Sequence, residues 1–388
     1  MDKKLKVGIF MDSYYPAIDG VVVVIDNLAK ELLKYCDVTI VVPFTDSYVE
    51  DENRPYKVKR VKSISVPFTE YKLGYPTNNF SRVYKELLEE EFDIIHIHSP
   101  FTIGRLGVKL AKDLGIPCFG TVHTRFDFEI RRVTDTKIIV NRIMKELMNV
   151  FNKCDKCIVV NDPLVKEIKK FGYKHKPIVM YNGTDLKPFD YRKKDLDKIN
   201  KKYKLKDVDK VLLYVGRIID IKNIYFILDA LKLLKESGVS FKMLYVGSGP
   251  DSKKLLSKIN KNNLSDDVIM TGRISDRKVL SAIYARADLL LFPSLMDTSS
   301  LVRIEAAVNE TPGLFIKGSM TASSIVDNET GFVCDLDTSI YKEKIKSILG
   351  NKNLLKKVSV NARRTLGRSW SEVAIELFEL YLKEISKR

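Results

Sequence analysis

The sequence predicts an α/β protein with two doubly wound domains, each a parallel sheet covered by helices on both faces. Short apolar runs rich in Val and Ile alternate with segments of helical period over most of the 388 residues, the pattern of repeated βαβ units. The pattern is interrupted by a hydrophilic stretch at 187–210 and then starts again. A chain of this length has ample residues for two cores.

The predicted elements of the first domain, residues 1–187, follow one another in βαβ order. Strands are predicted at 6–11, 37–43, 93–99, 117–123 and 156–161, and helices at 21–35 and 104–115. The strand segments are nearly continuous apolar runs, as expected of strands buried on both faces. Ligands of such sheets bind outside the carboxyl ends of the strands, so the loops after these strands are the expected position of a site.

The second domain, residues 188–388, repeats the same order. Strands are predicted at 211–217, 242–247, 268–272 and 289–294, and helices at 223–236, 251–260, 276–285 and 301–309. The last segment, 369–388, has the pattern of an amphipathic helix, and we expect it to pack back toward the first domain. Two doubly wound domains are expected to face each other across a cleft, a common place for a binding site.

The formal net charge of +16 predicts an anionic partner, because net charge governs association rather than fold. Nucleic acid, an acidic membrane surface and an anionic small ligand are the candidates, beside a background simply rich in lysine. A nucleic-acid partner is disfavoured, since aromatic residues are not interleaved with the basic runs and no recognised module is present. No apolar run reaches the roughly 20 residues that span a bilayer, and the N-terminus lacks a signal-peptide cleavage pattern. We therefore expect a cytoplasmic protein.

The cysteines and histidines do not predict a metal site. Cys154 and Cys157 form a C-x-x-C, but no second pair completes a zinc site, so free buried thiols are expected. The chain has four histidines, and no third ligand is placed for zinc. No metal and no other cofactor is predicted.

The second domain carries one pair of candidate anion-binding residues after its first strand. Arg217 and Lys222 flank a loop that leads into a helix N-terminus, and two cations beside exposed backbone N–H groups suit a diphosphate. Two ordinary surface cations are the alternative. The segment "YVGSGPD" at 245–251 resembles a shortened glycine fingerprint, in which Gly247 permits a ligand to approach the backbone closely.

A second candidate lies in "MDTSSLVRIEA" at 296–306. Small residues, among them Ser299 and Ser300, begin the helix that follows and offer N–H groups to an anion. Glu305 lies about a turn and a half into this helix and could accept the two hydroxyls of a ribose. Asp297 lies in the loop and could hold sugar hydroxyls. A helix-terminal acid and a solvated glutamate are the alternative.

The histidines of the first domain fall on two neighbouring predicted strands. His96 and His98 alternate onto one face, and His96 is interpreted as a satisfied core histidine. His123 ends a strand on the side where ligands are expected and is followed by Thr124 and Arg125. A functional role is therefore favoured for His123.

Together these motifs resemble the retaining glycosyltransferases of family 4, which have the GT-B fold of two Rossmann-like domains. The resemblance covers essentially the whole chain and is most specific at 211–331. The matching segments are "YVGRIIDIKN", "YVGSGPD", "MTGRIS", "ADLLLFPSLMDTSSLVRIEA" and "DNETGF". The first-domain segment "DIIHIHSPFTIGRLGVKLAKDLGIPCFGTVH" looks like family members that glycosylate diacylglycerol.

The resemblance implies a role for each site residue. Arg217 and Lys222 would bind the donor diphosphate, and Glu305 would bind the ribose hydroxyls. Asp297 stands where the family usually has Glu and would contact the transferred sugar. The remaining donor contacts would be the backbone of Ile274 at the base, Gly20 and Gly247 near the donor, the N–H groups of Ser299, Ser300 and Leu301 at phosphate or sugar, and His123 at the sugar near the reaction centre.

The resemblance also implies the reaction. A hexosyl group, expected to be glucose, would pass with retention from a UDP-sugar in the second domain to a membrane lipid such as 1,2-diacylglycerol, whose site would be in the first domain. A polysaccharide or teichoic-acid-type acceptor and a non-catalytic sugar-nucleotide-binding protein are the alternatives. Residues 131–176 contain 12 Lys and Arg against 5 Asp and Glu, which favours peripheral attachment to the anionic inner face of the cell membrane. An ordinary solvated helix face is the competing interpretation of this basic segment.

Overall fold

The computed structural model describes residues 4–16, 20–46, 51–65, 72–74, 78–131, 133–188, 191–295 and 297–388. The chain divides into two compact units. The first comprises Met1–Asn182 together with Trp370–Arg388, and the second comprises Gly183–Ser369. The chain thus leaves the first unit between Asn182 and Gly183, slightly before the position 187 expected from the sequence, and returns to it with the last helix.

The first unit is built on a parallel sheet. Its strands are β1 (Leu5–Phe10), β2 (Cys36–Pro43), β3 (Lys57–Val61), β4 (Ser63–Ser65), β5 (Lys72–Gly74), β6 (Ile94–Ile97), β7 (Cys118–Val122), β8 (Lys156–Val159) and β9 (Ile178–Val179). The sheet order is β3-β2-β1-β6-β7-β8-β9, while β4 and β5 pair separately and antiparallel. The strand order reverses between β1 and β6, which makes their carboxyl ends the topological switch point of this sheet.

Helices cover this sheet and supply the other half of its core. They are α1 (Gly20–Leu32), α2 (Asn78–Leu88), α3 (Thr102–Leu114), α4 (Phe126–Arg131), α5 (Lys137–Phe151) and α6 (Asp162–Lys170). Buried residues of α5, such as Val140, Met144 and Leu147, recur every three to four positions, the spacing of one helix face. The central strands β1, β2, β6 and β7 are almost wholly buried, which explains their uninterrupted apolar runs.

The second unit repeats the arrangement with a shorter sheet. Its elements are α7 (Lys193–Lys202), β10 (Val211–Val215), α8 (Ile224–Glu236), β11 (Lys242–Val246), α9 (Ser252–Lys261), β12 (Val268–Gly272), α10 (Arg277–Arg286), β13 (Leu289–Phe292), α11 (Leu301–Val308), β14 (Gly313–Ile316), β15 (Phe332–Cys334), α12 (Thr338–Gly350) and α13 (Lys352–Leu366). The sheet order is β12-β11-β10-β13-β14-β15, with parallel neighbours throughout. The two doubly wound parallel sheets predicted from the sequence are confirmed.

The hydrophilic stretch 187–210, where the predicted βαβ pattern is interrupted, is not a plain linker. It contains α7, an N-terminal helix of the second unit. The one fully buried residue within this helix is Ile199, which joins the core of the second unit. Such a narrow apolar stripe gives little periodicity, so the helix is hard to recognise among so many lysines.

The final helix, α14 (Trp370–Ile385), packs on α1 within the first unit. Trp370, Leu377 and Tyr381 are buried on its inner face, and burial of large aromatic side chains is a major contribution to docking such a helix. Within the described ranges, no helix is both long enough and apolar enough to cross a bilayer.

The cysteines are free and buried, as predicted for Cys154 and Cys157. Burial raises the pKa of the Cys157 thiol to about 12, so this side chain behaves as a small apolar group rather than a nucleophile. Among the residues the structure describes, no group of three or more His, Cys, Asp or Glu side chains is arranged to hold a metal ion.

Candidate active site

The predicted donor-site residues of the second unit gather at one edge of its sheet. They follow the carboxyl ends of four parallel strands, β10, β11, β12 and β13. These residues are Arg217 and Lys222 after β10, Gly247 after β11, Ile274 after β12, and Asp297, Ser299, Ser300 and Leu301 after β13. The strand order reverses between β10 and β13, so the loops after these two strands border the crevice where doubly wound sheets bind ligands.

An ion pair joins the two loops at this reversal. The Lys222 ammonium group contacts Oδ1 of Asp297, while Oδ2 of Asp297 is buried and has no partner among the described residues. Asn223, in the left-handed region at φ 57°, donates from Nδ2 to the carbonyl of Pro293 at 2.8 Å and ties the same loops together. The arrangement places one cation and one unpartnered carboxylate oxygen on the loops that border the crevice.

Arg217 provides a second cation on the loop after β10. Its side chain is exposed, and its backbone carbonyl accepts a 3.0 Å hydrogen bond from the hydroxyl of buried Tyr214. The hydrogen bond from Tyr214 therefore holds the backbone of Arg217, while its guanidinium group is available to an anion.

The glycines at this edge of the sheet allow two backbone segments to pack closely against each other. A Cβ on Gly247 would lie 1.9 Å from the carbonyl oxygen of Gly216, and one on Gly249 would lie 2.2 Å from that of Ile218. The N–H of Gly247 is also taken, since it donates to the carbonyl of Gly272 at 2.9 Å. The close approach of the loops after β10 and β11 thus requires a glycine at 247, and the contact of Gly247 with a ligand stays a prediction.

The start of α11 is capped by Ser300. Its buried hydroxyl accepts from the N–H of Arg303 at 3.3 Å, the usual interaction of a serine at a helix N-cap. Arg303 itself is buried and donates from Nη1 to the carbonyl of Thr321 at 2.8 Å. The buried guanidinium thus ties the first turn of α11 to the segment around Thr321, and no spacing in the sequence indicated it.

Glu305 is not a solvated helix acid, so that alternative is wrong. It is 8% exposed, and its carboxylate accepts from Nη2 of Arg277 at 2.7 Å and from the hydroxyl of Tyr284 at 2.8 Å. Burial and then the Glu305 charge raise the pKa of Tyr284 well above its ordinary value, so the phenol keeps its proton and donates. Each oxygen retains acceptor capacity for a further hydroxyl.

Arg277, Tyr284 and Asp185 are functional candidates that the sequence reasoning missed. The Arg277 guanidinium contacts Asp185 as well as Glu305. Asp185 lies in the segment "YNGTDLKPF" at 181–189, and Arg277 follows Ile274 by three residues. Their contact depends on which faces of α10 and α11 meet, which linear spacing does not contain. Ile274 lies partly buried against the core of this unit.

The switch point of the first unit is occupied by Asp12. This buried carboxylate follows β1 and accepts from the N–H of Ile103 at 2.8 Å and the hydroxyl of Thr102 at 2.9 Å. It thereby caps α3 and joins the loops after β1 and β6. Burial raises the pKa of Asp12, although its hydrogen bonds oppose that shift. Gly20, the predicted donor contact, is exposed at the first position of α1.

Three histidines form a buried cluster at the carboxyl edge of the first sheet. His98 and His123 follow the adjacent strands β6 and β7, and His98 Nδ1 lies 2.8 Å from His123 Nε2. His96 is fully engaged, with Nδ1 at 2.6 Å from the hydroxyl of Tyr381 and Nε2 at 2.7 Å from that of Thr121. His96 is thus a satisfied core residue as interpreted, and it is also in stacking contact with His98.

The cluster is uncharged under ordinary conditions. Burial lowers the pKa of His96 and His123 to about 3 and lowers that of His98 well below its ordinary value, because the protonated ring loses its hydration. Neutral imidazoles can accept as well as donate hydrogen bonds. His123 is therefore suited to contact hydroxyl groups rather than to bind a phosphate as a cation.

Two family models match the chain. The model described as Glycosyltransferase Family 4 matches residues 18–188, and the model described as Glycosyl transferases group 1 matches residues 195–365. The matched segments correspond to most of the two units.

Individual proteins give the same picture. The chain is 26% identical over 313 residues to an alpha-monoglucosyldiacylglycerol synthase of Streptococcus pneumoniae, covering 79% of this chain and 70% of that one. It is 25% identical over 394 residues to the alpha-monoglucosyldiacylglycerol synthase of Acholeplasma laidlawii, covering 99% and 98%. The crystal structure of Anabaena HepE in complex with UDP superimposes with a TM-score of 0.79 at 15% identity, covering 98% and 100%, a likeness of fold. The chain belongs to glycosyltransferase family 4 and is a glycosyltransferase of the GT-B fold.

Proposed function

We propose that this glycosyltransferase moves glucose from UDP-glucose to 1,2-diacylglycerol with retention of the anomeric configuration. The observation that carries the proposal is the similarity, along nearly the whole chain, to a relative named alpha-monoglucosyldiacylglycerol synthase. The charged groups at the switch point of the second sheet support it, since they suit a nucleoside diphosphate that carries a sugar.

In the proposed donor site, different residues bind the diphosphate, the ribose and the base of the UDP-sugar. Arg217, Lys222 and the N–H groups at the start of α11 face the diphosphate, the part that gains charge as the bond to the sugar breaks. Fixed donors aimed at developing charge are the largest single contribution in many enzymes. Glu305 accepts the ribose hydroxyls and the backbone of Ile274 meets the base. The proposed chemistry uses these protein charges and requires no metal.

The proposed transfer breaks the bond from the anomeric carbon to the diphosphate oxygen and forms one to the acceptor hydroxyl oxygen. The acceptor attacks from the face that the diphosphate leaves, and its proton passes to the departing diphosphate oxygen. Asp297, through its open Oδ2, and His123, through its neutral ring, contact hydroxyls of the transferred sugar. Asp297 is one methylene shorter than the glutamate usual in the family, so sugar selectivity is expected to depend on it.

Exposed apolar and basic side chains of the first unit support the choice of a lipid acceptor. Four apolar side chains are exposed on the segment leading into and along α5: Val133, Ile138, Ile139 and Ile143, with Val133 83% and Ile138 79% exposed. We call them the apolar tip. The exposed cations Lys137, Arg142 and Lys145 lie on the same segment, next to or between these residues in the sequence. Apolar residues among cations are typical of helices that lie in an anionic membrane interface, and we propose peripheral attachment there, on the inner face of the cell membrane.

Vesicle sedimentation tests the attachment. The protein is expected to bind vesicles containing phosphatidylglycerol, and salt is expected to weaken binding, because each cation near the surface contributes about 1 kcal/mol. Replacing Ile138 and Ile139 by Ser is expected to reduce binding about tenfold or more. The matched control replaces the exposed Ile375 and Leu382 of α14 by Ser. Equal binding to zwitterionic vesicles at low salt, or equal losses in both double variants, would contradict the assignment.

A donor and acceptor panel tests the reaction. UDP- and GDP-sugars are offered with diacylglycerol and with oligosaccharides, and the products are identified by mass. A hexosyl-diacylglycerol formed from UDP-glucose is expected. A product found only on the oligosaccharides would replace the lipid acceptor by a cell-surface polysaccharide or teichoic-acid-type acceptor and leave the second unit's donor role unchanged.

A further inference from the structure

A hydrogen bond connects the buried rings of His98 and His123, and the proposed reaction assigns it no role. Their rings are nearly parallel, with centroids 5.1 Å apart and planes at 19°. Nδ1 of His98 and Nε2 of His123 share a 2.8 Å hydrogen bond. Because one nitrogen of the pair must donate and the other accept, the tautomer of one ring determines that of its neighbour.

The environment of His98 restricts its motion. His96 stacks on it with centroids 4.1 Å apart and planes at 29°. His96 is itself held at both nitrogens, by the hydroxyls of Tyr381 and Thr121. A ring held by stacking on one side and by a hydrogen bond on the other is a rigid support for the ring beyond it.

The two remaining ring nitrogens of the pair, His98 Nε2 and His123 Nδ1, are buried and have no hydrogen-bond partner among the described residues. An unpaired buried polar atom is unfavourable and calls for a ligand group or an ordered water. When His98 Nδ1 donates, His123 carries its proton on Nδ1 and offers a donor. When His123 Nε2 donates, His123 Nδ1 offers an acceptor.

We propose that His98 is a positioning residue for sugar transfer: its Nδ1 holds the ring of His123 so that His123 Nδ1 meets a hydroxyl of the transferred sugar. This inference rests on the proposed contact of His123 with the donor sugar. His98 acts through His123, and the polar contact it provides is with Nε2, the nitrogen of His123 that faces away from the sugar.

The atom responsible can be tested by two replacements of similar polarity. In His98→Asn the side-chain amide occupies the position of Nδ1 and can bond to His123 Nε2. In His98→Gln the amide reaches the position of Nε2 and leaves the contact with His123 unmade. His98→Leu removes both nitrogens while retaining an apolar side chain.

Turnover is expected to fall about tenfold or more in His98→Leu and His98→Gln, with the KM for the donor nearly unchanged, because misplacement of a reacting contact affects the transition state most. His98→Asn is expected to recover most of the loss. Equal turnover in the Asn and Gln variants, at either the wild-type or the reduced level, would overturn the proposal. Thermal unfolding of each variant identifies a general loss of fold, and the Asn–Gln comparison decides even if His98→Leu does not fold.

His123→Ala separates this inference from the proposed function. If His123→Ala retains wild-type turnover, the proposed contact of His123 with the sugar fails. If His123→Ala is inactive while His98→Gln is fully active, only the role of His98 fails. Long-range proton–nitrogen NMR spectra of histidine-labelled protein give a readout independent of activity. The His123 ring is expected to show one tautomer in the wild type and in His98→Asn, and a mixture in His98→Gln; an unchanged single tautomer in His98→Gln would count against the proposal.

Discussion

Lys222 and Asp297 neutralise each other across the switch point of the second sheet. Both side chains are about one-fifth exposed, so the pair is partly shielded from water and its attraction exceeds that of a surface pair. A diphosphate brings more negative charge than one carboxylate, and on binding it would compete with Asp297 for the ammonium group. Asp297 would then be released toward the sugar. The ion pair thus links the two residues that are proposed to act on neighbouring parts of the donor.

Replacing Lys222 by Ala is expected to reduce turnover at least tenfold, or about 1.4 kcal/mol in transition-state stabilisation, because a cation facing the leaving diphosphate is lost. The measurement is transfer from UDP-glucose by purified protein. Lys232→Ala is the matched control, since Lys232 is an exposed lysine that pairs along α8 with Glu236. Wild-type rates in Lys222→Ala would exclude Lys222 from the donor site.

Testing the role of Glu305 requires a replacement that disturbs the fold less than alanine does. Glu305→Ala would leave the buried Tyr284 hydroxyl unpaired and the Arg277 guanidinium with Asp185 alone, a loss of about 1–3 kcal/mol of stability. Glu305→Gln keeps the side-chain length and a carbonyl for Tyr284. It is expected to weaken UDP binding about tenfold in calorimetry, since a charge-assisted bond to ribose is lost, with a smaller loss of thermal stability than Glu305→Ala. Unchanged UDP affinity in Glu305→Gln would contradict the ribose assignment.

Residue types and positions in the sequence predicted that Lys222 and Asp297 lie on loops that follow strands, and they lie after β10 and β13. They did not predict that the two side chains pair, nor that Arg277 and Tyr284 hold Glu305. The contact between Arg277 and Glu305 spans 28 residues and depends on the rotation of α10 against α11. Such rotation is set by packing, not by the spacing of charges within either helix.

The loops after β10 and β11 form a single backbone unit at the scale of the elements. Gly216 donates to the carbonyl of Val246 and Ile218 donates to that of Ser248, each at 3.0 Å. The carbonyls of Gly216 and Ile218 in turn occupy the space where side chains of Gly247 and Gly249 would lie. These contacts hold the backbone on both sides of Arg217, in the loop that also carries Lys222.

Gly247→Ala is therefore expected to destabilise the second unit by about 1–3 kcal/mol, from the clash with Gly216 and from a φ of 143°. Gly20→Ala is the contrasting variant, because a Cβ there meets none of the described atoms within 4 Å. It is expected to keep the wild-type unfolding temperature while raising the KM for the donor, if the backbone at Gly20 lies near the diphosphate. An undiminished unfolding temperature in Gly247→Ala would contradict this account of the loops.

Apolar strands and helices with a full apolar face were predictable, and short or strongly charged elements were not. The prediction of 289–294 covers Leu289–Phe292, because a buried parallel strand gives a continuous apolar run. The prediction of 268–272 matches Val268–Gly272, which is an edge strand. β15 has 3 residues, too few for a period to appear. The first-unit strand β3 carries three lysine or arginine residues, so its composition is not that of a buried strand.

Part of the net charge of +16 lies on α5, where exposed Lys137, Arg142 and Lys145 lie next to or between residues of the apolar tip in the sequence. Cations beside exposed apolar side chains favour a membrane surface over a small anion as the partner of this segment. The two doubly wound units then have distinct proposed tasks. The second holds an anionic nucleotide at its switch point, and the first, with α14 and its buried histidines, serves the acceptor and the transferred sugar.

The most direct measurement for the whole account is the proton NMR spectrum of the lipid formed from UDP-glucose and 1,2-diacylglycerol in vesicles containing phosphatidylglycerol. The account predicts a monoglucosyl-diacylglycerol whose anomeric proton has the small coupling constant of an α-linkage, because transfer occurs on the face that the diphosphate leaves. A β-linked product would contradict retention. Release of UDP without any glucosylated lipid would contradict the lipid acceptor.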